Sequence, residues 1–427
     1  NTVHNSNANY TNPTLDLYYS KNISKKDELS VNLIGSFYNT KSYKFDYEWR
    51  ISDDIEIFNN DTDLKAKQVG IVGEIAHVHN FGKGKLGSGY RISNTYIDND
   101  LINLLGNYRY SVNYLEQYLY TEYSSKRNKF SYRLGIGLTN IHNKSAEITQ
   151  DDWAPTPKVV LSYELPKSQS LRFVTQYASQ SPLASALSSN IVQIAPNIVQ
   201  KGNPYLKAQH LFKNNLIYSS NNKYFDLNAT LFYNIVDKYF AQFYKLDSET
   251  DGYTLTYENA RRYNEKGVQV SGSVKPFGNN LLVLKTYISP TSMRLVSTNG
   301  TKFKSDFIRN NFAIISQYKS FSAYYQFNFP AFSLNGSFLN TDENQSHIFI
   351  AYQYKNWNFT TGIYWLGTSS KYNTRSLNDN LVSYTNETDI YNNKNMFVLG
   401  LGYDFSSGKK LQIQKKLNNS TVPATTF

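Results

Sequence analysis

Hydrophobic and polar side chains alternate with a period of two along most of the chain. Phe130, Tyr132, Leu134, Ile136 and Leu138 are interleaved with Ser131, Arg133, Gly135, Gly137 and Thr139. Phe225, Leu227, Ala229, Leu231, Tyr233 and Ile235 are interleaved with Asp226, Asn228, Thr230, Phe232 and Asn234. Ile348, Ile350, Tyr352 and Tyr354 repeat the pattern near the end. This period places successive side chains on opposite faces of a strand. Runs of about ten residues suffice to cross a bilayer at a tilt.

Similar runs are predicted at 28–48, 63–80, 85–97, 108–124, 157–165, 170–178, 208–219, 253–274, 280–297, 304–318, 320–329, 332–340, 356–365 and 395–406. Roughly 16 strands result, one for every 20 to 25 residues or so. Tight turns are expected at Lys126-Arg127-Asn128, Pro166-Lys167-Ser168, Ser220-Asn221-Asn222, Phe277-Gly278-Asn279-Asn280 and Lys355-Asn356, whose Gly, Asn and Ser accept a positive φ. Longer polar connections are expected at 140–154, 244–252 and 366–393. The segment 179–207, with Pro182, Pro196 and Pro204, breaks the alternation and reads as a long loop. Its apolar patch at Ile191, Val192 and Ile194 is expected to fold over the mouth of the structure.

Composition turns this all-β pattern into a membrane prediction. The chain has 37 Tyr and 25 Phe among 427 residues, yet its mean hydropathy is −0.53. A soluble core with so many rings would carry more Leu, Val and Ala around them. A transmembrane antiparallel β-barrel resolves the conflict, because one strand face meets lipid and the other meets water. Tyr then also serves in girdles where the ring is buried and the hydroxyl stays wet. No apolar run is long enough for a spanning helix. Cysteine is absent, which excludes disulfides, thiolate metal sites and Cys nucleophiles. The barrel is assigned to 1–410 and a polar tail to 411–427. The bacterial outer membrane is the expected location, with lipid and lipopolysaccharide as surroundings.

The net charge of +11 raises nucleic acid as a partner. Lys and Arg are dispersed, however, often in turns such as Ser24-Lys25-Lys26-Asp27 and Gly82-Lys83-Gly84-Lys85. That is the distribution of rim charge near anionic headgroups, so no nucleic-acid partner is expected. His77 and His79 share one strand face at a spacing that could hold a divalent metal. No third ligand is evident, and polar positions facing a wet lumen explain the pair equally. Asp247-Ser248-Glu249-Thr250-Asp251-Gly252, followed by Glu258, approximates a calcium-loop spacing, but its flanks read as strands. An acidic hairpin loop accounts for it. Nucleophile elbows, phosphate-binding glycine loops and paired catalytic carboxylates are not found. The chain is read as a non-enzyme without a cofactor.

Three places carry a family resemblance. Gln200-Lys201-Gly202-Asn203-Pro204-Tyr205-Leu206-Lys207 is similar to the element that precedes a mid-barrel strand in TonB-dependent outer-membrane receptors of the Bacteroidetes type. Ala208-Gln209 stand where that family commonly has Pro-Glu. Pro157, Leu161, Ser162, Tyr163, Leu171, Arg172 and Pro182 precede it in the family's order. Tyr263 to Pro276, with Gln269 where Glu is common, resembles a second family strand. Gly400, Tyr403 and Phe405 match the assembly signal of closing strands, with Gly408-Lys409-Lys410 and a polar tail beyond. The likeness covers most of 155–410, and 1–154 by strand pattern alone.

The resemblance implies a 22-stranded barrel preceded by a plug domain and an energy-coupling box. This chain shows fewer strands and no plug, so the expectation is the distal part of a longer receptor. The implied function is TonB-dependent uptake of a scarce glycan, peptide or siderophore-like ligand. Its implied partners are the barrel-assembly machinery, an inner-membrane energy-coupling complex and a surface lipoprotein. The alternative is a plugless passive channel, or a barrel that scaffolds a lipoprotein complex. Tyr239, Tyr244, Trp357 and Trp365 are candidates for stacking on a ligand or for the girdles, and the ligand-binding residues are not assigned.

Overall fold

The computed structural model describes residues 2–247, 252–377, 380–405 and 415–423. Strands β1 (Thr2–Thr11) and β2 (Thr14–Asn22) lie end to end on β3 (Asp27–Trp49). From there β4 (Glu56–Phe81), β5 (Gly84–Asn103), β6 (Gly106–Arg127) and β7 (Phe130–Ser145) follow as antiparallel neighbours. β8 (Ile148–Pro155) and β9 (Lys158–Leu165) lie end to end on β7, and β10 (Gln169–Gln180) pairs with β9.

A loop segment then carries α1 (Ala184–Leu187), β11 (Ile191–Ala195) and β12 (Ile198–Lys201). The meander resumes with β13 (Gln209–Asn221), β14 (Phe225–Asp247), β15 (Gly252–Val274), β16 (Val283–Val296), β17 (Lys302–Tyr318) and β18 (Phe321–Asn328). The hairpin β19 (Phe332–Asn335) and β20 (Phe338–Thr341) interrupts it. Next come β21 (Gln345–Tyr354) and β22 (Trp357–Tyr364). The hairpin β23 (Ser370–Ser376) and β24 (Thr385–Ile390) precedes the last strand, β25 (Met396–Tyr403), which pairs with β22.

Twenty-one strands share one sheet, while β19, β20, β23 and β24 form a second. With β11 and β12 set aside as loop strands, and each end-to-end pair taken as one position, the meander has 17 positions among the described residues. This agrees with the all-β barrel expectation of roughly 16 strands. The described sheet has two free edges, β1/β2 and β25, which pair only with β3 and β22 among the described residues.

Alternation decides which face is which. Leu33, Ile71, Ile75, Leu119, Leu134, Ile136 and Leu231 are each between 46% and 59% exposed, as a lipid-facing band requires. Their neighbours on the other face, such as Asn32, Gln68 and Val72, are buried. The apolar set therefore faces outward, as the sequence predicts. At the short-turn rim the outward rings form a girdle. His79, Phe81, Tyr123, Tyr132 and Phe130 follow one another at centroid spacings of 5.5 to 5.9 Å. In the same rim Lys223, Lys319 and Lys355 lie over Tyr224, Tyr318 and Tyr354 at 5.6, 5.3 and 5.5 Å. Rings beside turn cations suit the lipid headgroup level. The turns take positive φ at Gly82, Asn128, Lys167, Ser168, Gly278, Lys319 and Lys355.

The opposite rim departs from the expectation of long loops. Segment 140–154 is mostly strand, closed by Ala146-Glu147, because alternation continues through β7 into β8. Strands β14 and β15 likewise run on to Asp247 and from Gly252, leaving little of the loop expected at 244–252. β3 and β4, with 23 and 26 residues, rise far above the ten or so a bilayer needs. The segments 332–340 and 366–393 are not a wall strand and an open loop. They supply β19–β20 and β23–β24, which pair with each other and cap β14–β17. Their alternation is too short to span and instead covers Val236, Phe243, Tyr263, Leu295 and Phe303 with Leu334 and Leu339.

Candidate functional site at the lumen-crossing loop

Residues 181–208 leave the wall after β10 and return at β13, yet make their contacts on strands well to either side. On one side, inward side chains of β4 to β7 donate to the loop. Asn60 Nδ2 donates to Gln193 O at 3.2 Å, Asn103 Nδ2 to Ile191 O at 2.7 Å and Tyr110 Oη to Ala184 O at 2.7 Å. Asn143 Nδ2 donates to Ser181 Oγ at 2.8 Å and Ser145 Oγ to Leu187 O at 3.2 Å. On the other side, β12 pairs in parallel with β15, Ile198 facing Tyr253. Asn203 Nδ2 donates to Tyr257 O at 3.0 Å, and Asn259 exchanges hydrogen bonds with the backbone of Lys207 at 2.8 and 2.9 Å. A segment tied to both sets crosses the concave side of the sheet. The segment expected as a long loop at 179–207 carries α1, β11 and β12 rather than irregular chain alone.

The family-like element is the anchor of this crossing. A Cβ on Gly202 would lie 2.6 to 2.7 Å from the carbonyl oxygens of Ser185, Ala186 and Ser188, so only a hydrogen fits there. Asn203 N–H donates to Ala186 O at 2.6 Å, and its Oδ1 receives the Tyr205 N–H at 3.0 Å, forming an Asx turn before the next strand. Leu206, 1% exposed, plugs into a cluster of Ile97, Tyr110, Val112, Tyr114, Ala184 and Leu187.

Below the loop the inner wall is polar and charged. Arg91 pairs with Glu116, Arg133 Nε with Glu122 at 3.2 Å, and Tyr120 Oη donates to Glu74 at 2.6 Å. At the short-turn end Lys83, Lys85, Arg133 and Arg172 line a concavity of about 560 Å³. The described part of the tail, 415–423, lies on the inward residues of β2 to β4. Lys415 pairs with Asp16, Lys416 with Glu28 at 2.5 Å, and Asn419 Nδ2 donates to Glu74 at 2.7 Å. Gln68 Nε2 donates to Val422 O at 2.8 Å. Basic tail residues thus answer acidic wall residues. The rest of 406–427, including Gly408-Lys409-Lys410, lies outside the described residues.

The candidate residues fall in different places. His77 and His79 lie on the outward face at the rim, with Ile75, and not toward the lumen, because their odd-numbered parity on β4 is that of the lipid-facing set. Both imidazoles meet Oδ1 of Asp27, at 3.1 and 2.7 Å. The Ser24 hydroxyl and His79, with His77, hold the Asp27 carboxyl down to about 2. No group of three or more side chains suited to a metal ion occurs among the described residues. The centre of the acidic segment, 248–251, lies outside the described residues. Glu258 is engaged by Lys245 at 3.5 Å and by Thr298.

Tyr239 stacks on Tyr263 at 4.7 Å, and Tyr244, 5% exposed, meets Phe338 edge-on at 5.5 Å, so both serve the packing of the cap. Trp357 belongs to the rim with Phe359 and Tyr403. Trp365 stands edge-on to His347 at 5.4 Å. The wall donors Asn60, Asn103, Tyr110, Asn143 and Ser145 were not foreseen. Inward parity was readable for each of them, but their partners lie 38 to 133 residues away.

Comparison with known proteins bears on the fold. No curated protein matches the sequence. Among solved structures, the copper transporter OprC superposes with a TM-score of 0.63 at 12% identity, over 84% of this chain and 60% of its own. The pyoverdine-bound receptor FpvA of P. aeruginosa gives 0.60 at 9% identity, over 83% and 52%. The ferric preacinetobactin receptor BauA of Acinetobacter baumannii gives 0.58 at 10% identity, over 94% and 64%. The chain therefore spans roughly half to two thirds of the length of each, and shares the fold of their barrels. The sequence profile of the outer membrane protein beta-barrel family matches residues 20–403. With the outward apolar band, the aromatic rim and this match over nearly the whole meander, the chain belongs to the outer membrane protein beta-barrel family and is a protein of the bacterial outer membrane.

Proposed function

We propose that the chain forms the barrel of an energy-coupled importer that takes up a scarce ligand (a glycan, a peptide or a siderophore-like molecule) through TonB-dependent opening of its lumen. The observation that supports this most is the crossing loop. A segment held from both sides across the concave face narrows the path there, so in this reading passage requires work on the loop or on whatever lies beneath it. The solved structures of similar fold include a copper transporter, a ferric preacinetobactin receptor and a receptor bound to pyoverdine. Lys83, Lys85 and Arg172 give the lower lumen a positive field that favours anionic ligands. A plug domain and further strands, together with an inner-membrane coupling complex and a surface lipoprotein, complete the proposal.

The test is made on the full polypeptide in its own outer membrane. Uptake should stop when the inner-membrane proton gradient is collapsed, and the purified protein should show no steady conductance in a planar bilayer. Steady conductance with uptake indifferent to the uncoupler would replace this reading with a passive channel. Absence of both, with a lipoprotein co-purifying in fixed ratio, would replace it with a scaffold.

A further inference from the structure

A partly open cavity of about 260 Å³ lies between the crossing loop and the inner face of the tall wall formed by β3, β4 and β5. Asn60 and Thr62 of β4 line it from below, and Ser188, Asn190, Gln200 and Lys201 of the loop line it from above. Asn190 is 3% exposed, yet neither its Nδ2 nor its Oδ1 has a hydrogen-bond partner among the described residues. A buried primary amide with donor and acceptor both unmatched is costly unless something enters to meet them. The rest of the lining is equally selective. It contains amides, hydroxyls and two lysines beside the apolar Leu64, Leu101, Val192 and Ile194, but no aromatic ring and no carboxylate among the described residues. Sugars lack a stacking surface there, and cations lack a counter-charge. A peptide group presents a carbonyl and an N–H side by side, as complement to the two free atoms of Asn190. Lys201 is exposed on the same lining, in reach of bulk water and of an anionic end group.

We propose that this cavity is a binding site for a short amide-bearing anion, a peptide-like segment with a free carboxylate, whose amide pairs with Asn190 and whose carboxylate is met by Lys201. The assignment rests on the importer reading above and narrows its ligand class to peptide-like molecules. Because the crossing loop contributes Asn190 and Lys201 together, a ligand in the cavity would be held by the very segment that spans from β4–β7 to β15.

The test uses N-acetyl-alanyl-alanine as the probe, titrated calorimetrically into the full protein extracted in detergent. Saturable binding is expected, weakened roughly tenfold or more by Asn190→Leu, since one unmatched buried polar group is worth about that factor. Asn190→Asp, which keeps the size but removes the donor, should weaken it comparably. Lys201→Ala should weaken the free acid several-fold and leave the methyl ester unchanged. Hydrogen exchange across 185–202 reports whether the loop stays docked in each variant, and Asn190→Asp decides the matter if Asn190→Leu undocks it. Equal binding by the parent and Asn190→Asp, saturable binding of glucose but not of the peptide, or no saturable binding of the peptide would each overturn the proposal. Binding in detergent needs no energy source, so this result stands apart from the uncoupler experiment.

Discussion

At the scale of single residues, the site depends on atoms that are missing as much as on those present. Gly202 is surrounded by three carbonyl oxygens within 2.7 Å of where a Cβ would stand. These belong to backbone and cannot swing aside as a long side chain can. Gly202→Ala should therefore loosen the crossing loop by about 1–3 kcal/mol, the usual range for overpacking a tight site. Hydrogen exchange at 183–206 should quicken by one or more orders of magnitude while the wall strands stay protected. An unchanged exchange pattern would show that the loop does not depend on this contact. Asn203 and Leu206 complete the reason that the Gly-Asn-Pro-Tyr-Leu order is informative. One supplies the turn and the hook to β15, and the other supplies the buried anchor. The residues were legible in the sequence as a turn, but the carbonyls that demand a glycine come from α1 and Ser188 just after it, 14 to 17 positions earlier.

At the scale of elements, a strand here needs no core of its own, because lipid takes that place on one face. Ile136 sits 58% exposed on the outward face of β7, and Gly137 beside it faces inward, where a Cβ would meet the Tyr118 ring at 2.4 Å. Ile136→Lys should destabilise the folded barrel in lipid by about 2–4 kcal/mol if the residue lies near the midplane, and by less toward either rim. Refolding titrations into vesicles measure this directly. A companion cysteine at Ile136 should resist a water-soluble maleimide in intact membranes. Rapid labelling there would reverse the assignment of faces for the whole sheet. The hairpins β19–β20 and β23–β24 show where strand reading by pattern goes astray. Their alternation is genuine, but at 4 to 7 residues they are too short to cross, and they find partners in one another above the wall.

At the scale of the whole molecule, the direction of the strands carries a consequence. In an antiparallel meander of 17 positions the first and last run the same way, so β2 and β25 both descend toward the short-turn rim. Antiparallel pairing cannot join these two edges to each other, and bacterial outer-membrane barrels close with even strand numbers. Both edges also leave large apolar residues exposed, from Leu15 and Tyr19 to Leu399 at 74% and Leu401 at 66%. We expect that cysteines placed at Tyr19 and Leu399 fail to cross-link in the full protein in membranes. Efficient cross-linking would mean that the described strands close on themselves, and the proposal of further strands would then fall.

The sequence by itself determined the class of fold, the outer-membrane setting, the outward face and most of the short turns. These follow from period-two alternation, aromatic content and local φ requirements, which are all properties of neighbouring residues. It also marked 179–207 as exceptional and singled out the element around Gly202. Only the tertiary structure decided that the loop spans from β4–β7 to β15, that the two late hairpins make a cap, and that the histidine pair faces outward beside Asp27. It also placed the basic tail on Asp16, Glu28 and Glu74. These contacts join residues tens to hundreds of positions apart, and inward polar positions alternate in the same way whether water, a loop or a tail lies against them. The pattern along a strand records which face is wet, but the partner on that wet face is set by where the chain returns in three dimensions.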